Sequence, residues 1–408
     1  MKVEFEVNST PNPLGRYLTW SPSPCRIRVS DPSGISGNSV TLKISSKTAG
    51  ATGGSLVFRK TTSGAFSASI NLTVPKSGES VPFQAAGKYP QASNRDGDVQ
   101  IEAHNGTTLV GSVPVMVRIR KNANELTAEE RERFLSAFAQ LNAKGLGRFT
   151  DFREMHTSTS SPQAHGAAGF LPWHRIYILD LERELQEIDP SVALPYWRFD
   201  QPAPKLFKKN YLGEADPVTG AVHFDSANPL QFWTTDGVQG FMRRPRFNTN
   251  TQSANVIDET ATLNLGNDYD AFIDMEGDPH GYAHTSFMGP ISSVPTAARD
   301  PLFFLLHCNV DRLWAKWQRK NDRYDPDSPE AYSTSPQPIN HNLTDSLWPW
   351  NGVTGSGRPP TAPGGALASS LAVSAPGPMP LVLNTLDYQG NLSNLDRFGY
   401  DYDDVEFA

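Results

Sequence analysis

The chain carries nine histidines and two cysteines. Six of the histidines fall in two clusters, His156/His165/His174 and His280/His284/His307, while His104, His223 and His341 stand apart. His280 and His284 are four residues apart, and on a helix positions i and i+4 share a face, so both imidazoles can converge on one ion. His307 follows Asp300-Pro301, where Asp300 suits a helix N-cap and Pro301 the first helical position. Asp311, one turn beyond His307, is placed to accept a hydrogen bond from that imidazole and orient it. His174 follows Pro172 in an apolar wall of Phe170, Leu171 and Trp173, and His165 lies in a Gly/Ala-rich segment that lets backbone and side chains crowd closely. Imidazole serves zinc, copper, iron and nickel, so histidine by itself does not name the metal. A three-plus-three nitrogen set without a carboxylate triad or cysteine ligands favours a copper pair, with a three-histidine mononuclear zinc site as its chief competitor. The isolated His104, His223 and His341 read as surface or satisfied core residues.

These clusters need elements to hold them. The 408 residues exceed one typical domain of about 100–200 residues, so two are expected. The first 120 read as short alternating runs (Lys2–Val7, Cys25–Val29, Val40–Ile44, Ser55–Arg59, Ser67–Val74, Asp98–Ala103 and Ser112–Arg118) separated by turn residues. That pattern predicts an immunoglobulin-like β-sandwich of roughly seven strands over 1–120. Near Asn122 the period changes. Thr127 and Glu130 form a capping-box signature, followed by Phe134, Phe138 and Leu141 at helical spacing until Gly145. Two further helices are predicted after Pro172 and after Pro301. The stretches 200–262 and 320–390, rich in Pro, Gly, Asn and Ser, read as long ordered loops around a helical centre. A mainly α domain with long loops is thus expected over 121–408.

Composition excludes several functions. Hydrophobic residues make up 38% of the chain, enough for a sizeable core, and the net charge of −7 with no basic block argues against nucleic acid. Two cysteines, Cys25 and Cys308, exclude a disulfide scaffold and an iron–sulfur cluster. No run approaches the ~20 apolar residues of a membrane helix, and residues 1–6 do not read as a signal peptide, so the expectation is a soluble chain, cytoplasmic if it is complete.

Two segments, His165-Gly166-Ala167-Ala168-Gly169-Phe170-Leu171-Pro172-Trp173-His174-Arg175 followed by Glu182, and Asp300-Pro301-Leu302-Phe303-Phe304-Leu305-Leu306-His307-Cys308-Asn309-Val310-Asp311-Arg312-Leu313-Trp314, together with His280 and His284, resemble the type 3 copper family of tyrosinases, catechol oxidases and haemocyanins. The similarity covers about residues 122–408. Phe398-Gly399-Tyr400-Asp401-Tyr402-Asp403-Asp404 also resembles the tyrosine motif closing that family's catalytic domain, with no shielding domain after it. The resemblance implies a four-helix bundle with two coppers between its helices, one held by His156, His165 and His174 and the other by His280, His284 and His307. It implies O2 binding at the pair and oxidation of o-diphenols or o-aminophenols to o-quinone-type products, with a copper-delivery partner in the family's manner.

Departures from the family pattern refine this expectation. Glu276 matches the acid that holds a water near the second copper. Gly281 stands where strong monophenol hydroxylases often have Asn, which implies weak monophenolase activity. Thr285 replaces a basic residue, and Val294 falls where the family places a gate, its small size leaving the site open. Leu306 stands where many relatives have His. Gln163 stands where fungal and plant members place the cysteine of a thioether, so no thioether is expected, as in bacterial members. The alternatives are oxygen carriage without turnover, as in haemocyanin, and a tailoring enzyme acting on a carrier protein, polymer or second subunit bound by the amino-terminal sandwich.

Overall fold

The computed structural model describes residues 1–50 and 52–407. Its contacts group into two units, one comprising Met1–Arg120, Ser370–Ala375 and the tail from Gln389, the other Lys121–Ser369 with Pro376–Tyr388.

Nine strands of the first unit form two sheets. They are β1 (Lys2–Val7), β2 (Tyr17–Leu18), β3 (Ser23–Asp31), β4 (Ser39–Thr48), β5 (Leu56–Arg59), β6 (Ser69–Pro75), β7 (Val81–Gly87), β8 (Val99–Asn105) and β9 (Thr108–Val117). One sheet runs β1-β3-β7-β5 and the other β2-β9-β8-β4-β6. Pairing is antiparallel except between β2 and β9. Alternation carries the inward faces: Cys25, Ile27 and Val29 of β3 and Val99, Ile101 and Ala103 of β8 enter one apolar core shared by both sheets. The sequence pattern missed β7 because residues 83–87 are buried in succession, which erases period two.

The tail belongs to this unit. The Trp20 indole N–H donates to the Tyr402 carbonyl at 2.8 Å, and the Ser21 amide and hydroxyl donate to the Asp401 carboxylate. The Arg120 guanidinium lies 3.5 Å from the centre of the Tyr400 ring and donates to the Tyr402 hydroxyl at 2.9 Å. Burial pushes the Asp401 carboxyl up to about 6 despite those hydrogen bonds. Phe398–Asp404 thus groups with the sheet unit, where Trp20 and Arg120 supply partners that no carboxy-terminal pattern announces.

The second unit is helical. Its helices are α1 (Ala128–Asn142), α2 (Phe149–Met155), α3 (Ser161–Ala164), α4 (Phe170–Ile188), α5 (Glu259–Thr262), α6 (Tyr269–Phe272), α7 (Tyr282–Thr285) and α8 (Leu302–Asn321). The Thr127–Glu130 capping box opens α1 with reciprocal side-chain-to-backbone bonds. The helix ends at Asn142, before Gly145, because Ala143 takes a left-handed conformation. Asp300 caps α8 by accepting from the Leu302 amide at 2.9 Å. The segments between α4 and α5 and after α8 hold only short turns and two-residue ladders. No helix of the described residues is long and apolar enough to cross a membrane. Replacing Thr127 by Ala removes the cap, and denaturant unfolding is expected to show a loss of about 1 kcal/mol; an unchanged midpoint would remove the cap from the account of α1.

Candidate metal centre

Buried ion pairing sets the frame of the site. Arg175 on α4 donates to Asp311 on α8 at 2.5 Å, with the two side chains 0% and 1% exposed. The guanidinium also donates to Gln318 and the Thr385 carbonyl and lies 3.7 Å from the Trp314 ring centre. This pair joins the two longest helices one residue from His174 and one turn from His307. Their imidazoles stack at 4.1 Å with an interplanar angle of 7°. The expected hydrogen bond from His307 to Asp311 is not formed, since His307 Nδ1 has no partner. Asp311 does lie on that side of α8, but the Arg175 cation draws its carboxylate.

The structure brings the six clustered histidines together as two triads, His156/His165/His174 and His280/His284/His307. Within each triad the donor nitrogens lie within 4.8 Å of one another. His280 and His284 share a face, though not on one regular helix: residues Gly277–Gly281 form a π turn that runs into α7. π turns are frequent at functional sites, and this one sets the two rings edge to face at 4.7 Å.

The orientation of the rings follows from hydrogen bonds at Nδ1. His156 donates to the Val294 carbonyl at 3.0 Å, His174 to Phe170 at 2.9 Å, His280 to Glu276 at 2.7 Å and His284 to Ile291 at 2.7 Å. A carbonyl can only accept, so each of these rings carries its proton on Nδ1 and leaves a lone pair on Nε2. The Nε2 atoms of His156, His174 and His280 are buried without a partner, and those of His284 and His307 meet at 3.3 Å. Burial pushes all six imidazoles below their ordinary range, repulsion from neighbouring imidazoles adding to it in all but His284, and brings His165 and His284 down to about 4. Neutral imidazoles buried in two sets of three, with three Nε2 atoms unpartnered, are costly unless a cation satisfies them, and they match the donor chemistry of a copper pair.

Phe170 and Phe303 wall the site, with ring centres 4.7 Å from His280 and 4.4 Å from His307 respectively. Phe303 lies one turn before His307 on α8, a spacing visible in the sequence. Glu276 accepts from the Gly166 amide with both carboxylate oxygens, at 2.9 and 3.2 Å, in a cleft of about 580 Å³ shared with Asp270, Asp274 and Gln337. Burial pushes its carboxyl up to about 7, the Gly166 amide working the other way. A Cβ added at Gly281 would meet only the Glu276 carbonyl, at 3.4 Å. Val294 is 39% exposed. Cys308 is buried and faces the Leu194 carbonyl, and Cys25 lies in the first unit's core. His104 lies 3.6 Å from Glu102, His223 is exposed, and His341 is fully buried.

Residues 146–320 match the family described as the common central domain of tyrosinase. The chain is 31% identical over 268 residues to a tyrosinase of Streptomyces antibioticus, covering 58% of this chain and 94% of that protein. It is 28% identical over 299 residues to grixazone synthase of Streptomyces griseus, covering 59% and 95%. Among solved structures, a functional unit of octopus haemocyanin aligns over 71% of this chain and 69% of its own, at 22% identity and a TM-score of 0.49. The chain belongs to the tyrosinase family. It is a copper oxidoreductase, its cofactor is a pair of copper ions, and its family acts on O2 and phenolic substrates.

Asp311→Ala would remove the carboxylate that faces the buried Arg175 guanidinium. Denaturant unfolding of the second unit is expected to show a loss of about 3–5 kcal/mol, largely recovered by the apolar pair Arg175→Met with Asp311→Leu. A small loss in the single variant would show that the pair does not hold α4 to α8.

Proposed function

We infer that the chain oxidises o-diphenols or o-aminophenols to o-quinone-type products, with His156, His165 and His174 holding one copper and His280, His284 and His307 the other. The observation that carries this reading is the pair of facing triads with Nε2 lone pairs left free by Nδ1 bonds to backbone carbonyls. Copper bound there supplies a two-electron couple for dioxygen. Each diphenol gives up two electrons and two protons, and four of each reduce one O2 to two waters.

The chain's own groups do the rest. Phe170 and Phe303 keep water from the imidazoles. Glu276, poised near neutrality on the Gly166 amide, holds or accepts a proton at its carboxylate oxygens. Gly281 leaves bare space beside His280, where no side chain polarises a water. Val294 offers a small side chain at the entrance while its carbonyl serves His156. One histidine of each triad, His165 and His284, is only partly buried, which suits substrate access better than the covered site an oxygen carrier needs. In the same reading the first unit is an immunoglobulin-like sandwich.

His284→Ala is expected to lower bound copper from two to one per chain and to abolish catechol oxidation. Parent turnover in that variant would overturn the ligand assignment. Gly281→Asn keeps a helical backbone, φ −59°, with room for the side chain. It is expected to raise the monophenol-to-diphenol rate ratio, by up to the ~10²-fold of a positioned proton-transfer partner. An unchanged ratio would reject the water-polarising role of that position.

A further inference from the structure

His165 differs from the other ligands. Four of them are aligned by a carbonyl on Nδ1, and His307 stands on the long α8 stacked against His174. His165 sits between α3 and α4 in extended backbone, φ −141°, with the left-handed Gly166 after it, φ +73°. Only the Ser161 carbonyl, four residues earlier, lies near its ring, and Nδ1 makes no hydrogen bond of ordinary geometry with it.

The loop around it is held from a different part of the chain. His341 accepts from the Gly169 amide at Nδ1, 2.9 Å, and donates from Nε2 to the Pro162 carbonyl, 2.9 Å. A single imidazole thus closes the two ends of the segment that carries His165. The ring is 0% exposed, and a Cβ added at Gly169 would lie 2.4 Å from its Nδ1, so only glycine permits the approach. Adjacent residues reinforce the contact: Asn340 donates to the Gln163 carbonyl at 2.9 Å, and Gln337 accepts from the Ala168 amide at 3.3 Å. His341 is itself fixed by the Tyr332 hydroxyl, which donates to its carbonyl at 2.7 Å.

We propose that His341 is a positioning residue of the copper site, clamping residues 162–169 so that His165 meets the metal held by its triad. This rests on the ligand assignment above. Both ring nitrogens are used, in opposite senses, so a neutral Nε2–H imidazole is required and no apolar side chain can replace it. The effect on the metal passes through backbone rather than through a bond to the ligand ring.

The test uses the copper-loaded full chain, with metal per chain measured across graded chelator and the cupric state read by electron paramagnetic resonance, where a coupled pair is silent and a lone ion is not. His341→Ala is expected to weaken one copper by about 10–100-fold, the usual effect of losing a group that orients a ligand, and to bring up the signal of an uncoupled ion. His341→Asn, which keeps an acceptor for the Gly169 amide, and His341→Gln, which keeps a donor for Pro162, should fall in between. They carry the same comparison if the alanine variant does not fold. Because His341 acts through His165, the double variant His165→Ala/His341→Ala should hold copper no worse than His165→Ala alone. Folded variants that keep both coppers at parent affinity with a silent spectrum, and lose only thermal stability, would overturn the proposal. So would additive losses in the double variant. If His165→Ala itself keeps both coppers, it is the ligand assignment that fails, not the clamp.

Discussion

The constraint on which the helical unit depends is the burial of six neutral imidazoles with their acceptor nitrogens turned toward one another. Water would satisfy those lone pairs at no cost in the unfolded chain, so folding must supply other reasons for bringing them together. It does so with rigid parts: a paired cation and carboxylate at the crossing of α4 and α8, aromatic walls from Phe170 and Phe303, and four backbone carbonyls that fix ring tautomers. Burial makes the imidazoles poor bases, and that keeps them available to a metal at neutral pH.

The two triads are built with unequal means. In the second, two ligands lie in a compact π-to-α segment and the third on a twenty-residue helix. In the first, His156 ends a seven-residue helix and His165 lies in a loop, so that only His174 stands on a long helix. Local regularity cannot place the first set. Its geometry is imported from residues more than a hundred positions away, Val294 for His156 and His341 for the His165 loop.

Much of the site could be read from the sequence because ligand chemistry needs particular residues at particular spacings. The six histidines, the capping box of α1 and the Asp300 cap were all visible as local patterns, and the structure assembles each of them. What escaped the reading was non-local. Asp311 had the right spacing to serve His307, yet spacing along one helix does not reveal a competing cation on another. His341 looked isolated because both its partners, Gly169 and Pro162, lie some 170 residues earlier. The tail resembled the close of the catalytic domain, but its indole and guanidinium contacts come from Trp20 and Arg120, so it groups with the sheets. The strand β7 escaped for a simpler reason, since a run buried on both faces has no period to detect.

One short segment, from Gly289 to Arg299, contributes a carbonyl to a ligand of each triad: Ile291 to His284 and Val294 to His156. Both ligands engage the main chain rather than a side chain. Natural variation or redesign can therefore exchange the exposed side chain at position 294 for one of another shape or polarity, while the atoms that aim the imidazoles stay in place. Surface character and ligand geometry are thereby written in separate chemical alphabets along the same few residues, and the first can drift without erasing the second.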